Sequence, residues 1–365
     1  MVAFSNGKAH ENCVDENGCY ILVNSKFIST EGSVIKKATL QLSPLFKSQF
    51  VMVMSDLPNG KALAKCFYIE EDNIYTLNQR ICSFTAQNGN INRFLMYQIN
   101  RNKYYLRYDD GINQTNLKKG EVLACPVFIP SIQEQTKIAT FIHLLDKRIA
   151  TQNKIIKKLQ SLIKGIIVSH YSTTAHTIKV KIRELGEAYS TMVMSKEQLT
   201  NDGNLCVFYG ELFTLYGCII DEVKSKTSLE KVSSTLSHGR DLLFPASTTV
   251  DAVSLIAPSA LMQKGIILGG DMFGIKVSEA YNPIYLSYYF NYIANKRLAK
   301  YAKGTTIIHL HYNEIANVVI ELPNIEEQDK IVSTILEYSA KLSIEETILE
   351  KLFDLKQYLL KQLFI

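Results

Sequence analysis

The sequence predicts an α+β protein: two tandem α/β domains, each followed by one long helix, with the two helices paired as a coiled coil. Three observations predict it. The 365-residue chain repeats itself at a nearly fixed offset. Each copy passes from short apolar, strand-like segments into one helix-like stretch. Each copy then ends in a heptad pattern of about 38 residues.

The repeat is read directly. Pro130-Ser131-Ile132-Gln133-Glu134-Gln135-Thr136-Lys137-Ile138 returns as Pro323-Asn324-Ile325-Glu326-Glu327-Gln328-Asp329-Lys330-Ile331, an offset of 193. At the same offset Asn102, Lys103, Tyr108, Gly111 and Leu117 match Asn295, Lys296, Tyr301, Gly304 and Leu310, and Leu159 and Leu162 match Leu352 and Leu355. Near the start the offset is 185, with Gly18–Val23 on Gly203–Phe208, so the second copy carries loop insertions. The period far exceeds that of a solenoid repeat. The expected segments are a first domain (1–129), a first helix (130–170), a second domain (171–322) and a second helix (323–365).

In each domain, apolar runs such as Tyr20 to Ile28, Phe50 to Met54 and Ile81 to Phe84 read as strands between Asn, Gly, Pro and Ser turns. A helix is expected over 92–104 and its counterpart over 283–301. In the latter Tyr285, Tyr288, Tyr289, Tyr292 and Ile293 fall at helical spacing and are expected to face the core, with base stacking as the alternative. Proline opens each long helix, where a missing N–H costs nothing. The first seam is Ile138, Ile142, Leu145, Ile149, Ile156, Leu159, Ile163 and Ile166, polar at Gln152. The second is Ile331, Ile335, Tyr338, Leu342, Leu349, Leu352 and Leu359, polar at Glu345 and Lys356. Residues 130–170 carry seven Lys/Arg against two Asp/Glu, and residues 323–365 five against eight, so the rods attract and self-pairing of either is disfavoured.

Composition narrows the function classes. At 47% hydrophobic and 21% charged residues the chain is globular, not low-complexity or disordered. No apolar run reaches membrane-helix length. The first residues lack the basic and apolar regions of a signal peptide. The seven cysteines are odd in number and scattered, without a CxxC, which suits reduced thiols and a cytoplasmic location. A net charge of +5 is compatible with a nucleic-acid partner without demanding one. The sequence has no GxxxxGK loop, GxSxG elbow, HExxH or EF-hand loop. Asn282-Pro283-Ile284-Tyr285 has only part of an adenine-methyltransferase motif, and Gly269-Gly270-Asp271 reads as a bulge or tight turn. His309 and His311 share one face of a strand, two ligands short of a convincing metal site. Duplicated domains, spacer rods and no catalytic constellation point to a recognition or assembly subunit.

The doubled Pro-x-x-x-Glu-Gln-x-x-Ile opening before a long Leu/Ile helix resembles the DNA-specificity (S) subunit of type I restriction–modification systems, over essentially the whole chain. The resemblance implies two target-recognition domains held apart by antiparallel helices, each domain reading half of a split double-stranded DNA target. It implies a non-catalytic chain with no cofactor of its own. Two methyltransferase (M) subunits, which bind S-adenosylmethionine, would dock on it, and restriction (R) subunits can join. The matching helix openings are Pro130, Glu134, Gln135, Ile138 and Pro323, Glu327, Gln328, Ile331. One departure stands out: the second domain opens with Lys181–Glu187, whose equivalents in the first would fall at or before Met1, so the first domain is expected to lack its opening segment.

Reading bases needs donors and acceptors presented to base edges, with cations on phosphates. The candidates are the Ser55–Lys61 turn, with Ser55, Asn59 and Lys61, then Lys65, and Asn78 and Arg80. In the second domain they are Arg240, Ser247, Thr248, Thr249 and Lys264. The loops Gly111–Asn116 and Gly304-Thr305-Thr306 precede the strand feeding each helix. The rival readings are a coiled-coil scaffold binding only protein and an enzyme with an unrecognised site. Helix pairing is assigned to Glu134, Gln135, Ile138, Gln152, Glu327, Gln328, Ile331 and Glu345, with Gln152 and Glu345 expected to face each other at the centre of an antiparallel pair. Gln152→Leu is then expected to destabilise by about 1–3 kcal/mol by stranding a carboxylate, and a double change to leucine to recover the loss. Equal melting temperatures for the single and double variants would break that pairing.

Overall fold

The computed structural model describes residues 1–174 and 176–364 and divides into two units. The first is Met1–Asn153 with the stretch from Ile348 onward; the second is Lys154–Thr347. The boundary therefore passes through both long helices, Ile132–Thr173 and Ile325–Leu363, instead of falling at their ends. At 1.5 Å per residue these rods are about 63 and 58 Å long.

Each unit is built around the same antiparallel pairing. In the first, Val2–Asn6 pairs with Ile81–Ala86, then Phe50–Val53, then Cys66–Tyr68. In the second, Gly186–Ser190 pairs with Met272–Val277, then Asp241–Pro245, Ser259–Leu261 and Ile219–Ile220. The match extends to side chains: Phe50 stacks on Phe84 and Phe244 on Phe273, centroids 4.9 and 5.0 Å apart. A second sheet in each unit holds the strands aligned at offset 185: Tyr20–Val23 lies parallel to Tyr75–Leu77, and Asn204–Phe208 parallel to Lys264–Gly269.

Three expectations are corrected. The Tyr20 to Ile28 run is a strand only to Val23. Asn24 then accepts from the Phe27 N–H (2.9 Å) and caps a short helix, Ser25–Ser29. The helix expected over 92–104 splits into Asn92–Ile99 and Lys103–Leu106, because Arg101 takes a left-handed φ of +55° and Asn102 caps the second piece. Its counterpart starts under an Asn282 cap at Pro283 and passes through a π turn, Phe290–Ala294, to Leu298. Tyr285, Tyr288 and Tyr289 are buried there, so the stripe is core. The third correction concerns the first seam. Ile142, Leu145, Ile149, Ile156, Leu159 and Ile163 are buried, but Ile167 and not Ile166 completes it. A straight helix drifts from a 3.5-residue repeat, and the last turns pack on the second domain's core.

The rods run antiparallel within each unit. In the first, Ile138 shares a core with Leu360, Leu363 and Phe364 at the end of the second rod. Lys356, a polar break in the second seam, meets Asp146 at 2.5 Å, and Asp146 also accepts from the Tyr97 hydroxyl (2.6 Å). In the second unit, Ile163 and Ile167 at the end of the first rod share a core with Val332 and Ile335 at the start of the second. The Lys356–Asp146 pair runs against the bulk charge of both rods, so their net signs do not dictate each contact.

The repeated Glu-Gln pair ties each rod to its own domain. Gln135 and Gln328 are both completely buried. Gln135 accepts from the Ile91 N–H (3.0 Å) and donates to Asn90 Oδ1 (3.0 Å) and the Pro130 carbonyl (2.9 Å). Gln328 accepts from the Asn282 N–H (2.9 Å) and donates to the Pro323 carbonyl (2.9 Å). Ile91 and Asn282 are the N-caps of the two domain helices. One amide thus joins two helix starts in each copy. Glu134 closes a capping box with Ser131, whereas Glu327 lies 3.5 Å from His170 and its N–H is capped by Asn324. Ile138 and Ile331 are half-buried on the seam, Gln152 is completely buried and Glu345 half-buried.

Candidate nucleic-acid interface

Two segments far apart in sequence meet in the first unit. Ser55–Asp56 forms a two-residue ribbon with Thr115–Asn116, pairing Ser55 with Asn116 and Asp56 with Thr115. The Asp56 carboxylate accepts from the N–H groups of Leu57, Ala62 and Leu63 (2.7–3.0 Å), which closes the 57–61 loop. A Cβ on Gly60 would lie 2.1 Å from that carboxylate, so a side chain there would push it away from its N–H donors. Asn59, at φ +55°, donates to the Gly111 carbonyl (3.2 Å) and ties this loop to the next. There Asp110 accepts from the Asn113 backbone and side chain and the Ile112 N–H, and these bonds hold its carboxyl down at about 2. Ser55 accepts from Gln114 (2.8 Å). Arg101 donates to the Leu63 carbonyl (3.0 Å) and braces the loop from behind.

Ser55, Asn59, Lys61 and Arg80 gather around this ribbon, whereas Asn78 bridges to Lys8 and lines a separate cleft with His10, Asn24 and Lys36. The Met54 N–H donates to the Arg80 carbonyl (3.0 Å), and the Met54 carbonyl accepts from the Leu117 N–H (2.8 Å). Asn59, Lys61 and Arg80 are exposed, while Ser55 is buried in the ribbon. Lys65 points elsewhere: its ammonium donates to the Ser29 carbonyl (3.0 Å) and lies 3.5 Å from Glu31.

The second unit repeats the device. Ser247–Thr248 pairs with Ile308–His309. The Ala246 N–H donates to the Asp271 carbonyl (2.8 Å), and the Ala246 carbonyl accepts from the Leu310 N–H (2.9 Å). Thr249, Thr305 and Thr306 are exposed beside this ribbon. Gly304, at φ +110°, makes the turn, since a Cβ there would lie 2.0 Å from the Ile307 carbonyl. An open cleft of about 820 Å3, lined in part by Thr248, Thr249 and His309, flanks the ribbon, and another of about 880 Å3 includes His311. Tyr209 and Asp271 line both. Gly270-Asp271 is a tight turn with Gly270 at φ +95°. The His309 and His311 rings stack 6.1 Å apart, and His309 lies 3.8 Å from Asp271. Among the described residues no group of three or more His, Cys, Asp or Glu side chains is placed to hold a metal.

Arg240 and Lys264 are not brought to this face. Arg240 precedes the strand Asp241–Pro245 and Ser247 follows it, so they lie at its opposite ends, roughly 20 Å of extended chain apart. Its guanidinium donates to the Tyr281 and Ser278 carbonyls (2.6 and 3.2 Å). Lys264 begins the strand that ends at Gly269 beside the turn, and sits opposite His238. Sequence reasoning missed Asp56, Arg101, Gln114 and Asp271. Asp56 was within reach as an Asp four residues before Gly60; the others need the tertiary pairing.

The comparisons with known proteins agree with this geometry. The family model for the type I restriction modification DNA specificity domain matches twice, over residues 2–161 and 177–353. The crystal structure of a type I restriction–modification S subunit from M. genitalium is 14% identical, with a TM-score of 0.61, covering 100% of this chain and 94% of that one. A chain from a structural study of complex assembly and conformational transition in the type I R-M system is 14% identical, with a TM-score of 0.54, covering 100% and 97%. With both halves of the chain matched and the whole fold shared, this protein belongs to the type I restriction–modification DNA specificity family.

Proposed function

We propose that this chain selects the DNA target of a type I restriction–modification complex in the cytoplasm. It reads a bipartite double-stranded site, one half per unit, and leaves adenine methylation and cleavage to partner M and R subunits. The observation that carries this reading is the ribbon built twice by the same backbone hydrogen bonds and tipped by unlike side chains. Ser55, Asn59, Lys61 and Arg80 tip one; Ser247, Thr248, Thr249, Thr305 and Thr306 tip the other. Backbone-fixed loops bearing donors, acceptors and cations suit base-edge reading with phosphate contacts around it.

Methylome sequencing of a host carrying the gene with its M subunit is expected to show two unlike half-sites separated by unspecified bases. A single contiguous motif would overturn the reading. Inserting one heptad into one rod is expected to disrupt assembly. Inserting one into each adds about 10 Å, or roughly three base pairs, to the spacer.

A further inference from the structure

In both units a short helical stretch leads into the ribbon. In the first it is Lys103–Leu106, followed by Arg107 and Tyr108; in the second, 193 positions on, it is Asn295–Leu298, continued by Ala299–Tyr301. One side anchors it. Tyr105 and Leu298, at equivalent positions, are buried, and the Tyr105 hydroxyl donates to the Val122 carbonyl (2.9 Å). The other side is cationic in both copies. Lys103 and Arg107 correspond to Lys296 and Lys300, in each case four residues apart and so one helical turn apart on the same face. All four are exposed, and among the described residues none of them is ion-paired. Lys303, just beyond, is instead held by Glu314 at 2.8 Å. Asp109 and Asp110, which follow Arg107, turn their carboxylates onto the N–H groups of Gly111, Ile112 and Asn113. The Arg107 guanidinium lies 4.1 and 5.1 Å from the ring centroids of Tyr104 and Tyr108 and donates to the Tyr108 hydroxyl (3.2 Å). Each stretch is fastened to its ribbon. Asp109 accepts from the Asn59 N–H (3.4 Å), and Lys303 and His309 exchange both backbone hydrogen bonds (2.8 and 2.7 Å).

We propose that Lys103 with Arg107, and Lys296 with Lys300, grip phosphates of the DNA backbone beside each half-site; this rests on the target reading above. Like charges one turn apart repel, so a pair present at the same place in both copies points to an anionic partner. The comparison of the copies sorts the roles. Phosphates are the same at every half-site, whereas the bases differ. The cations at 103 and 107 recur at 296 and 300, and Tyr108 recurs as Tyr301. The ribbon tips and the pair Arg80 and Asp271 are unlike. The recurring groups therefore hold what is constant in DNA, and the unlike ones read what varies. The two tyrosine rings hold the Arg107 guanidinium in place and leave most of its N–H donors free for a bidentate phosphate contact. A lysine makes the same contact as a point charge.

The test uses the full chain in complex with its M subunits and a fluorescent duplex carrying the methylated target. Affinity is measured over a series of salt concentrations, and base preference by methylation of a randomised oligonucleotide pool. Lys103→Gln, Arg107→Gln, Lys296→Gln and Lys300→Gln are each expected to lower the slope of log K against log salt by about one and to leave the preference at both half-sites unchanged. Over a fourfold rise in salt each variant then loses about fourfold less affinity than the unaltered complex. Lys103→Arg and Lys296→Arg keep the charge and are expected to keep the slope, which separates a lost contact from a misfolded stretch. Lys276→Gln, on the strand that runs from the ribbon to its far end, removes a charge away from the proposed grip and is expected to leave the slope as it was. Unchanged slopes in all four glutamine variants, with base preference intact, would overturn the proposal and leave the target reading standing. A changed preference at one half-site would make that cation a base reader, and loss of the M subunits in light scattering would give the face to a protein partner; either overturns it. An unaltered complex with no base preference would overturn the target reading and the phosphate grip together.

Discussion

Replacing Asp271 with arginine is expected to change the base preference of one half-site and leave the other intact. The backbone of the two ribbons shows why. Met54 donates to the Arg80 carbonyl and accepts from Leu117, as Ala246 donates to the Asp271 carbonyl and accepts from Leu310. Arg80 and Asp271 therefore occupy one position of a common frame, beside the ribbon in each unit, and both reach solvent. Their chemistry is opposite. A guanidinium only donates and suits guanine O6 and N7; a carboxylate only accepts and suits the cytosine amino group. A well-placed contact of this kind discriminates by about 1–3 kcal/mol, so the preference at one base is expected to shift roughly 5- to 150-fold. Methylation of a randomised oligonucleotide pool by the complex with its M subunit reads both half-sites at once. Unchanged preference in both would remove Asp271 from the interface. Arg80→Ala is expected to lower the salt dependence of binding by about one unit of slope if the guanidinium touches phosphate instead of a base.

The duplication, the rods and two strands of the first central sheet, Phe50–Val53 and Ile81–Ala86, were legible because they rest on periodicity and on a nine-residue echo. The ribbons were not. Ser55–Asp56 and Thr115–Asn116 are two residues each and some 60 apart, too short for any pattern to pair them. Their loops could be named separately from turn chemistry, and the tertiary fold showed that 55–61 and 111–116 make one surface. Arg240 and Lys264 failed to join the others for a related reason. Sequence reveals a strand but not which of its ends meets the ribbon: Arg240 precedes and Lys264 begins a strand whose far end lies beside it. Asn24 illustrates a third limit: an apolar run crossed by one good cap changes from strand to helix in mid-course.

Gln328 is the residue of the repeated motif whose loss is expected to cost most. The sequence assigns its glutamate neighbour to helix pairing alongside it, but their surroundings differ. Glu327 is half-exposed, and its contact with His170 at 3.5 Å is of the kind worth less than about 1 kcal/mol. Gln328 is completely buried, accepting from the Asn282 N–H and donating to the Pro323 carbonyl. Asn282 in turn caps the Pro283–Tyr289 helix through the Ile284 and Tyr285 N–H groups. Gln328→Met keeps the volume and leaves both backbone groups without their partner, a cost of about 2–4 kcal/mol. For a unit of this size that is a fall of about 5–15 °C in its melting transition. Glu327→Ala is expected to move it by a few degrees at most. Gln135→Met should repeat the large effect in the first unit, where the Ile91 N–H and Pro130 carbonyl lose the same bonds. Because the two glutamines share no partner, the double variant should show the sum of the two losses. Equal, small shifts for Gln328→Met and Glu327→Ala in thermal unfolding would mean that the buried amide does not hold rod to domain, and that the motif recurs for another reason.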